Sequence, residues 1–374
     1  MSHHLTLHII ASVPYSNLNR DDTGTPKHVR RGGYLAALLS SQSIKKGIRT
    51  KYEANSLVTS VRSGKLEADV VDRALAINPD ADKEQLEEEA KVLIGTLTKN
   101  SDQGKKTGKS SQGKSTEKSG KESDRSIWLS SEELEVAAKQ ILEDADSDFL
   151  QDYKTGSLAI ASFGRMFAAA PQKGTEAALS VSPAVTTHEV VIATDYFSTI
   201  DDIKEANRDT GATYLGVAQY TTGVFYRTVT IDKQQLRKSW TGFDSPDSDE
   251  SLRLLVDAII YGLPRGKQHS TAPFVQPALV LAEEQRYRSA YDFEAPVQPD
   301  WKEDGGYLEG GGYLKPTLEE LDWQYTAARA FDRGNFDGVE FVAGTAAEVQ
   351  NLFKDAEHGS KDELIDAVVA WIKQ

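Results

Sequence analysis

Basic side chains are concentrated near the start of the chain, although the protein as a whole is acidic. Residues 15–51 contain eight lysines and arginines against two aspartates, whereas the 374 residues together carry a formal net charge of -14. Lys45 and Arg49 stand four residues apart and would project from one face of a helix, while Ser40 and Gln42 add neutral donors. Such groups bind phosphate and ribose, so the segment predicts a track for a nucleic-acid backbone on one chosen face.

The same basic segment also has a purely structural interpretation. Runs of charge on a helix face are usually solvated surface, and a helix capped by Ser40 or Ser41 needs no ligand at its N-terminus. Taken alone, the pattern of residue types leaves both interpretations open.

Asp21 and Asp22 lie inside this basic segment and also have two interpretations. Two adjacent carboxylates can hold a magnesium ion or activate water. Alternatively, they can orient Arg20 or hold a loop through Asx-type hydrogen bonds. We favour the second interpretation, because an acidic pair without a partnered base or a second acidic cluster is weak evidence for a catalytic site.

Other kinds of catalytic or cofactor chemistry have little support. The chain has no cysteine, and its seven histidines do not follow metal-ligand spacing. Residues 108–115 match the Walker A pattern, but they lie in a segment, 99–126, that is rich in lysine, serine and glycine. A phosphate-binding loop needs a strand before it and an apolar helix after it. We therefore predict a disordered loop at 99–126, and we predict no catalytic residue, metal or cofactor.

Strand and helix patterns alternate along the chain. Residues 5–10, 34–39 and 220–231 are typical of strands. Helical periodicity follows at 67–77, 83–97 and 131–144, where Ser130 and Glu133 form a capping-box pattern, and again after Ser360. These elements predict an α+β fold with a helical insertion in a sheet domain.

Motifs in two blocks resemble a known family. The first block is LNRDDTGTPK at 18–27 with SSQSIKKGIR at 40–49. The second contains FGRM at 163–166, VSPAVTTHEV at 181–190, YFST at 196–199 and TTGVFYR at 221–227. In this order the motifs resemble the backbone subunit of the type I-E CRISPR Cascade complex, the CasC (Cse-four) family of RAMP proteins. The resemblance covers residues 1 to about 277.

The resemblance implies a modified ferredoxin-like, RRM-like palm with a helical finger insertion and a thumb hairpin. On this basis residues 1–52 form the first part of the palm and 53–155 the helical fingers. Residues 156–300 complete the palm and include the thumb at about 187–225. Residues 301–374 are expected to form a C-terminal helical region.

The resemblance also implies roles for individual residues. Those expected to bind RNA are Asn19, Arg20, Lys27, Ser40, Gln42, Lys45, Lys46, Arg49, Arg165, Met166, Lys267 and Gln268. Arg165 and Met166 would sit where a neighbouring subunit's thumb displaces a base, and a flexible thioether suits packing against an unstacked base. The alternative for Met166 is a plain core residue. The expected thumb residues are Tyr196, Phe197, Ser198 and Thr199.

The function implied is non-catalytic. Several copies would polymerise along a CRISPR RNA and present it for pairing with target DNA. The expected partners are other copies of the chain and the large, small, guide-processing and guide-end subunits of Cascade. The alternative is a metal-dependent RAMP endoribonuclease that uses Asp21 or Asp22. No apolar run reaches the roughly 18 residues of a membrane span, and no signal peptide pattern is present, so a cytoplasmic location is expected.

Overall fold

The computed structural model describes six stretches of the chain: residues 3–98, 126–143, 148–199, 214–304, 307–336 and 338–374. The predicted loop at 99–126, except its last residue, and the Walker-like motif at 108–115 lie outside the described residues. Part of the predicted thumb, 200–213, does so as well.

The described residues form fourteen β-strands and nine α-helices. The strands are β1 (His4–Ser16), β2 (His28–Arg31), β3 (Tyr34–Leu39), β4 (Ser60–Ser63), β5 (Ile127–Ser130), β6 (Leu179–Val181), β7 (Ala184–Thr186), β8 (Ala193–Thr199), β9 (Tyr214–Asp232), β10 (Leu279–Gln285), β11 (Trp301–Asp304), β12 (Tyr307–Gly310), β13 (Glu340–Ala343) and β14 (Glu357–His358). The α-helices are α1 (Ser41–Glu53), α2 (Leu66–Ile77), α3 (Lys83–Thr98), α4 (Ser131–Glu143), α5 (Leu158–Phe163), α6 (Lys233–Ser239), α7 (Ser248–Tyr261), α8 (Leu314–Phe331) and α9 (Lys361–Lys373).

A large sheet runs in the order β14-β13-β10-β1-β9-β7-β3-β2, with β6 and β8 also paired to β9. The neighbours along this path are antiparallel apart from β13 and β14, which are parallel. Residues 5–10 of β1 are all buried, so both faces of the sheet are covered there. The predicted α+β class and the palm sheet are confirmed.

The chain folds into two compact units. The sheet unit contains Met1–Ala54, Ser180–Asp232 and Leu252–Gln374, and the helical unit contains Asn55–Leu179 and Lys233–Ser251. The core of the helical unit is formed by apolar residues of α2, α3 and α4, such as Val70, Ala90 and Leu134. The four-part division made from the sequence places its boundaries elsewhere and stays a prediction.

The helical unit follows the local sequence signals closely. Three predicted helices are present at Leu66–Ile77, Lys83–Thr98 and Ser131–Glu143. The capping box is also present: the Glu133 backbone N–H donates to Ser130 Oγ at 3.0 Å, and the Ser130 N–H donates to Glu133 Oε2 at 2.9 Å. These contacts involve residues three apart, which is why the sequence alone could predict them.

The region 301–374 contains more than helices. Besides α8 and α9 it supplies β13 and β14 to one edge of the large sheet, while β11 and β12 pair with each other. These strands have four or fewer residues, which leaves no clear alternation of apolar and polar residues for sequence analysis to detect.

A buried ionic network joins this region to the centre of the sheet. Glu283 Oε2 lies 2.7 Å from His8 Nε2 and Glu283 Oε1 lies 2.7 Å from Arg329 Nη2, with Glu283 and His8 fully buried. Arg329 also pairs with Glu340 at 2.8 Å. Burial acts to raise the pKa of Glu283, but the charges of His8 and Arg329 outweigh it and hold that pKa below its usual range.

In the six described stretches, no helix is both long enough and apolar enough to cross a membrane.

His188 fixes the backbone between β7 and β8. Its Nε2 accepts from the Val224 N–H at 3.0 Å and its Nδ1 lies 2.7 Å from the Glu189 carbonyl oxygen, which together fit one neutral tautomer. The ring also stacks on Tyr313 with centroids 3.7 Å apart. Burial is the main cause that lowers the pKa of His188 below its ordinary value of 6.5.

This geometry predicts a pH-dependent loss of stability. As the pH falls below about 6.5, the unfolded chain takes up a proton that folded His188 resists, so the free energy of unfolding should decrease, by at most about 1.4 kcal/mol per pH unit. The variant His188→Phe keeps an aromatic ring but cannot titrate. Urea unfolding between pH 7.5 and 5 should give a shallower slope for this variant than for the unaltered chain. Equal slopes would contradict the assignment.

Candidate nucleic-acid interface

A tight loop at 17–27 carries the first predicted site residues. Asp21 Oδ1 accepts three hydrogen bonds, from the Thr23 hydroxyl at 2.7 Å and from the Thr23 and Thr25 N–H groups at 2.9 Å. These bonds, led by the Thr23 hydroxyl, lower the pKa of Asp21. Asp21 therefore forms the loop, as Asx-type bonding predicts, whereas Asp22 is exposed.

Asn19 connects this loop to the N-terminus of α1. Its Oδ1 accepts from the Ser40 N–H at 2.9 Å and from the Ser43 hydroxyl at 3.2 Å. Ser40 caps the helix, since its Oγ accepts from the Ser43 N–H at 3.4 Å. Asn19 Oδ1 and Ser40 Oγ thus hold the geometry of the site and are engaged within the protein.

The basic residues around this junction between the loop at 17–27 and α1 differ in whether a carboxylate pairs with them. In the described part of the chain, no carboxylate pairs with Arg20, Lys27, Lys45 or Lys46. Arg20 and Lys46 are exposed, as is Gln42, while Lys27 and Lys45 are half-buried. Arg49, by contrast, donates from Nε to Glu53 Oε2 at 3.0 Å. Lys45 is therefore better placed than Arg49 to meet a phosphate.

A second loop, at 262–271, packs directly against the first. The Gly266 N–H donates to the Leu18 carbonyl oxygen at 3.1 Å, and a Cβ at Gly266 would lie only 2.4 Å from that oxygen. Only glycine allows this approach. The next residue, Lys267, has a positive φ of 48°, a strained backbone conformation for a side chain of this size. The two loops thus bring Lys267 and Gln268 to the same end of the sheet unit as Asn19 and Lys27.

Arg227 holds the second loop in place from within the sheet. Its guanidinium is buried and donates to the carbonyl oxygens of Ile259, Ile260 and Gly262, at 3.0, 2.8 and 2.6 Å. These carbonyls end α7, where the helix dipole favours a cation. Burial lowers the pKa of Arg227 to about 10, which leaves it protonated at neutral pH.

Sequence reasoning missed three residues at this junction. Arg265 is exposed and lines a cleft of about 520 Å³ with Lys51 and Gln268. Tyr220 lies under the Lys267 ammonium, 4.9 Å from ring centroid to Nζ, and stacks on Tyr15 at 4.5 Å. Arg265 lies two residues before the predicted Lys267, but nothing in the sequence pairs Tyr15 with Tyr220.

The predicted thumb residues lie on an exposed hairpin. Tyr196, Phe197, Ser198 and Thr199 belong to β8, which pairs in antiparallel register with residues 214–220 of β9 and is exposed along its whole length. The Phe197 ring covers Gly216, because a Cβ there would meet the ring at 2.3 Å. Leu215 and Val217 are also exposed, so the hairpin presents apolar side chains to solvent.

The last predicted pair, Arg165 and Met166, lies in the helical unit, and the two residues differ in burial. The guanidinium of Arg165 is buried and forms a bidentate pair with Glu133, at 2.5 and 2.7 Å, and a bond to the Trp128 carbonyl oxygen at 3.3 Å. Met166 is 86% exposed, so it is not a core residue. Arg165 therefore has a structural role here, and this geometry does not support its predicted RNA contact.

Across the described stretches, no three histidine, aspartate or glutamate side chains are grouped so that they could hold a metal ion.

Comparison with known proteins gives one family. Residues 5–371 match the family model described as CT1975-like protein. The chain belongs to this family. Comparison of this CT1975-like protein with curated protein sequences gives no match.

Two solved structures share the fold of this CT1975-like protein over nearly all of both chains. One is titled "CRISPR RNA-guided surveillance complex, pre-nicking"; its TM-score is 0.76 at 23% sequence identity, covering 99% of this chain and 100% of the other. The second is titled "CRISPR RNA-guided surveillance complex"; its TM-score is 0.67 at 21% identity, with coverages of 98% and 99%. At these identities the likeness establishes the fold alone.

The contrast between Arg165 and Met166 gives a prediction. Replacing Arg165 by methionine would leave the Glu133 carboxylate buried without its charge partner, and we expect the free energy of unfolding to fall by about 3–5 kcal/mol. Met166→Ala, one residue away but at the surface, should change it by less than about 0.5 kcal/mol. Urea unfolding of the two variants makes the comparison, and equal effects would contradict the structural role of Arg165.

Proposed function

We propose that the chain is an RNA-binding backbone subunit of a Cascade-type surveillance complex, of type I-E, and that it binds CRISPR RNA without regard to sequence. The observation that carries this proposal is the grouping of Arg20, Lys27, Lys45 and Lys46, without carboxylate partners in the described residues, around the N-terminus of α1. The titles of the two solved structures with this fold support it.

The chemistry of this basic group suits a nucleic-acid backbone rather than base edges. Lysine and arginine side chains bind phosphate, and these contacts carry no sequence information. Because the whole chain is acidic, long-range attraction of RNA is weak and binding must be confined to this face. A guide held by its backbone keeps its base edges free to pair with target DNA.

Polymerisation along the guide is the second part of the proposal. The exposed hairpin of β8 and β9 carries Tyr196, Phe197, Leu215 and Val217 at its surface. Exposed apolar side chains grouped in this way are typical of a protein contact. A head-to-tail contact of this kind with another copy builds a helical filament when the rotation between copies does not close a ring. The other proposed partners are the large, small, guide-processing and guide-end subunits.

A binding role fits the acidic pair better than the endoribonuclease alternative. The carboxylate of Asp21 accepts three hydrogen bonds that build its own loop. A carboxylate occupied in this way is a poor general base, because the hydrogen bonds that stabilise its charge lower its basicity. We propose that the chain is not an enzyme.

The phosphate contacts predict a measurable change in salt dependence. Lys27→Gln and Lys45→Gln should each weaken binding of a single-stranded RNA and reduce the slope of log K against log salt concentration by about 0.7. Fluorescence anisotropy over a sodium chloride series measures both quantities. Lys354→Gln is the matched control, because Lys354 is exposed and precedes β14 at the opposite edge of the sheet. Slopes that equal those of the control would refute the site.

The proposal of a non-catalytic role has its own test. The unaltered chain and Asp22→Ala are each incubated with a labelled single-stranded RNA and magnesium, and the products are sized on a gel. We expect full-length RNA in both samples. Cleavage that requires magnesium and disappears in Asp22→Ala would establish the endoribonuclease alternative instead.

A further inference from the structure

Tyr15 occupies an irregular position at the end of β1. The strand pairs with β9 residue by residue from His4 to Val13, and the register then shifts before Ser16. Such bulges turn a side chain away from its regular direction and occur often beside functional sites. Tyr15 lies within the irregular stretch and is 45% exposed, in a strand whose preceding residues are mainly buried.

Tyr15 is the exposed member of a stacked pair of tyrosine rings. Its ring lies 4.5 Å from the ring of Tyr220, with the planes inclined at 30°. Tyr220 is buried, and the Lys267 ammonium lies 4.9 Å from its centroid and 3.4 Å from its hydroxyl. The stack is therefore assembled before any ligand arrives, which reduces the entropy lost on binding.

A cleft of about 620 Å³ opens beside Tyr15. Thr221 to Val224 of β9 line it, and so do His188 and Tyr313, which stack on each other. This volume falls within the usual range for small-molecule sites, and the exposed ring of Tyr15 can stack on a flat ring that enters it.

The charges of the cleft favour a base over a phosphate. Its lining includes the carboxylates of Glu189 and Glu348, and its one ammonium, on Lys315, lies 3.1 Å from Asp300. Carboxylates repel a phosphate but accept hydrogen bonds from the N–H groups of a base edge. Lys267, whose ammonium contacts Tyr220, belongs to the loop at 262–271 together with Arg265. A basic group thus lies beside the stack, whereas acidic side chains line the cleft next to Tyr15.

We propose that Tyr15 is a stacking platform that receives one unpaired nucleobase of the bound RNA, with the cleft beside it. The inference rests on the proposed function and deepens it by adding a base contact to the backbone contacts. Stacking does not depend on base identity, because every base has an aromatic face, so the contact is compatible with binding of any guide.

The test compares ordinary and base-free RNA. Full-length chain is titrated with a fluorescein-labelled oligouridylate and with the same oligomer made of abasic residues. Tyr15→Ala should weaken binding of the oligouridylate about tenfold. It should leave binding of the abasic oligomer unchanged within about twofold, and it should not alter the salt slope, because stacking releases no counterions. Tyr15→Phe, which keeps the ring, should bind the oligouridylate like the unaltered chain.

Three other results would overturn the stacking role of Tyr15. Equal loss of affinity for the two oligomers in Tyr15→Ala overturns the stacking role, because a purely structural defect does not distinguish them. An unchanged affinity for oligouridylate overturns it as well, while the backbone contacts of the proposed function remain supported by the unaltered chain's binding. If the unaltered chain binds neither oligomer, the stacking role and the proposed function are overturned together.

Discussion

The buried guanidinium of Arg227 is the interaction on which the geometry of the candidate site depends. It lies in the C-terminal half of β9 and donates to three carbonyl oxygens at the end of α7, a place where a cation is stabilised by the helix dipole. The strand, the helix end and the loop at 262–271 are thereby fixed together. Without these bonds, a buried charge and several helix carbonyls would lack partners, which is far costlier than losing one exposed contact.

The position of this loop determines that of its neighbour. Gly266 lies against the backbone of Leu18 with no space for a Cβ, and Asn17 donates to the Gly24 and Gln219 carbonyl oxygens. The loop at 17–27 is thus bonded to the second loop and to β9. Asn19 connects it to α1, because its Oδ1 accepts from the Ser40 N–H at the start of that helix. Backbone groups and small polar side chains carry this chain of contacts, so the longer basic side chains are not needed for it.

Local signals explain how much of this arrangement could be predicted. The Ser40 cap, the capping box at Ser130 and Glu133 and the helical periodicities depend on residues within four positions of each other, and sequence analysis found them. The Arg49–Glu53 pair has the same i,i+4 spacing and was available to the same reasoning. The pairing of Arg165 with Glu133 and of Tyr15 with Tyr220 joins distant parts of the chain, and no local pattern encodes it.

The same geometry separates the polar residues that bond within the protein from the basic residues that have no carboxylate partner in the described stretches. Asn19, Ser40, Asp21, Arg165 and Arg227 use their polar atoms to satisfy other groups of the protein, and most of them are partly or fully buried. Arg20, Lys27, Lys45 and Lys46 have no such carboxylate partner in the described stretches. A resemblance in sequence motifs cannot separate these two groups, because both belong to the same motifs. Only the tertiary contacts show which side chains hold the site and which remain free to bind a polyanion.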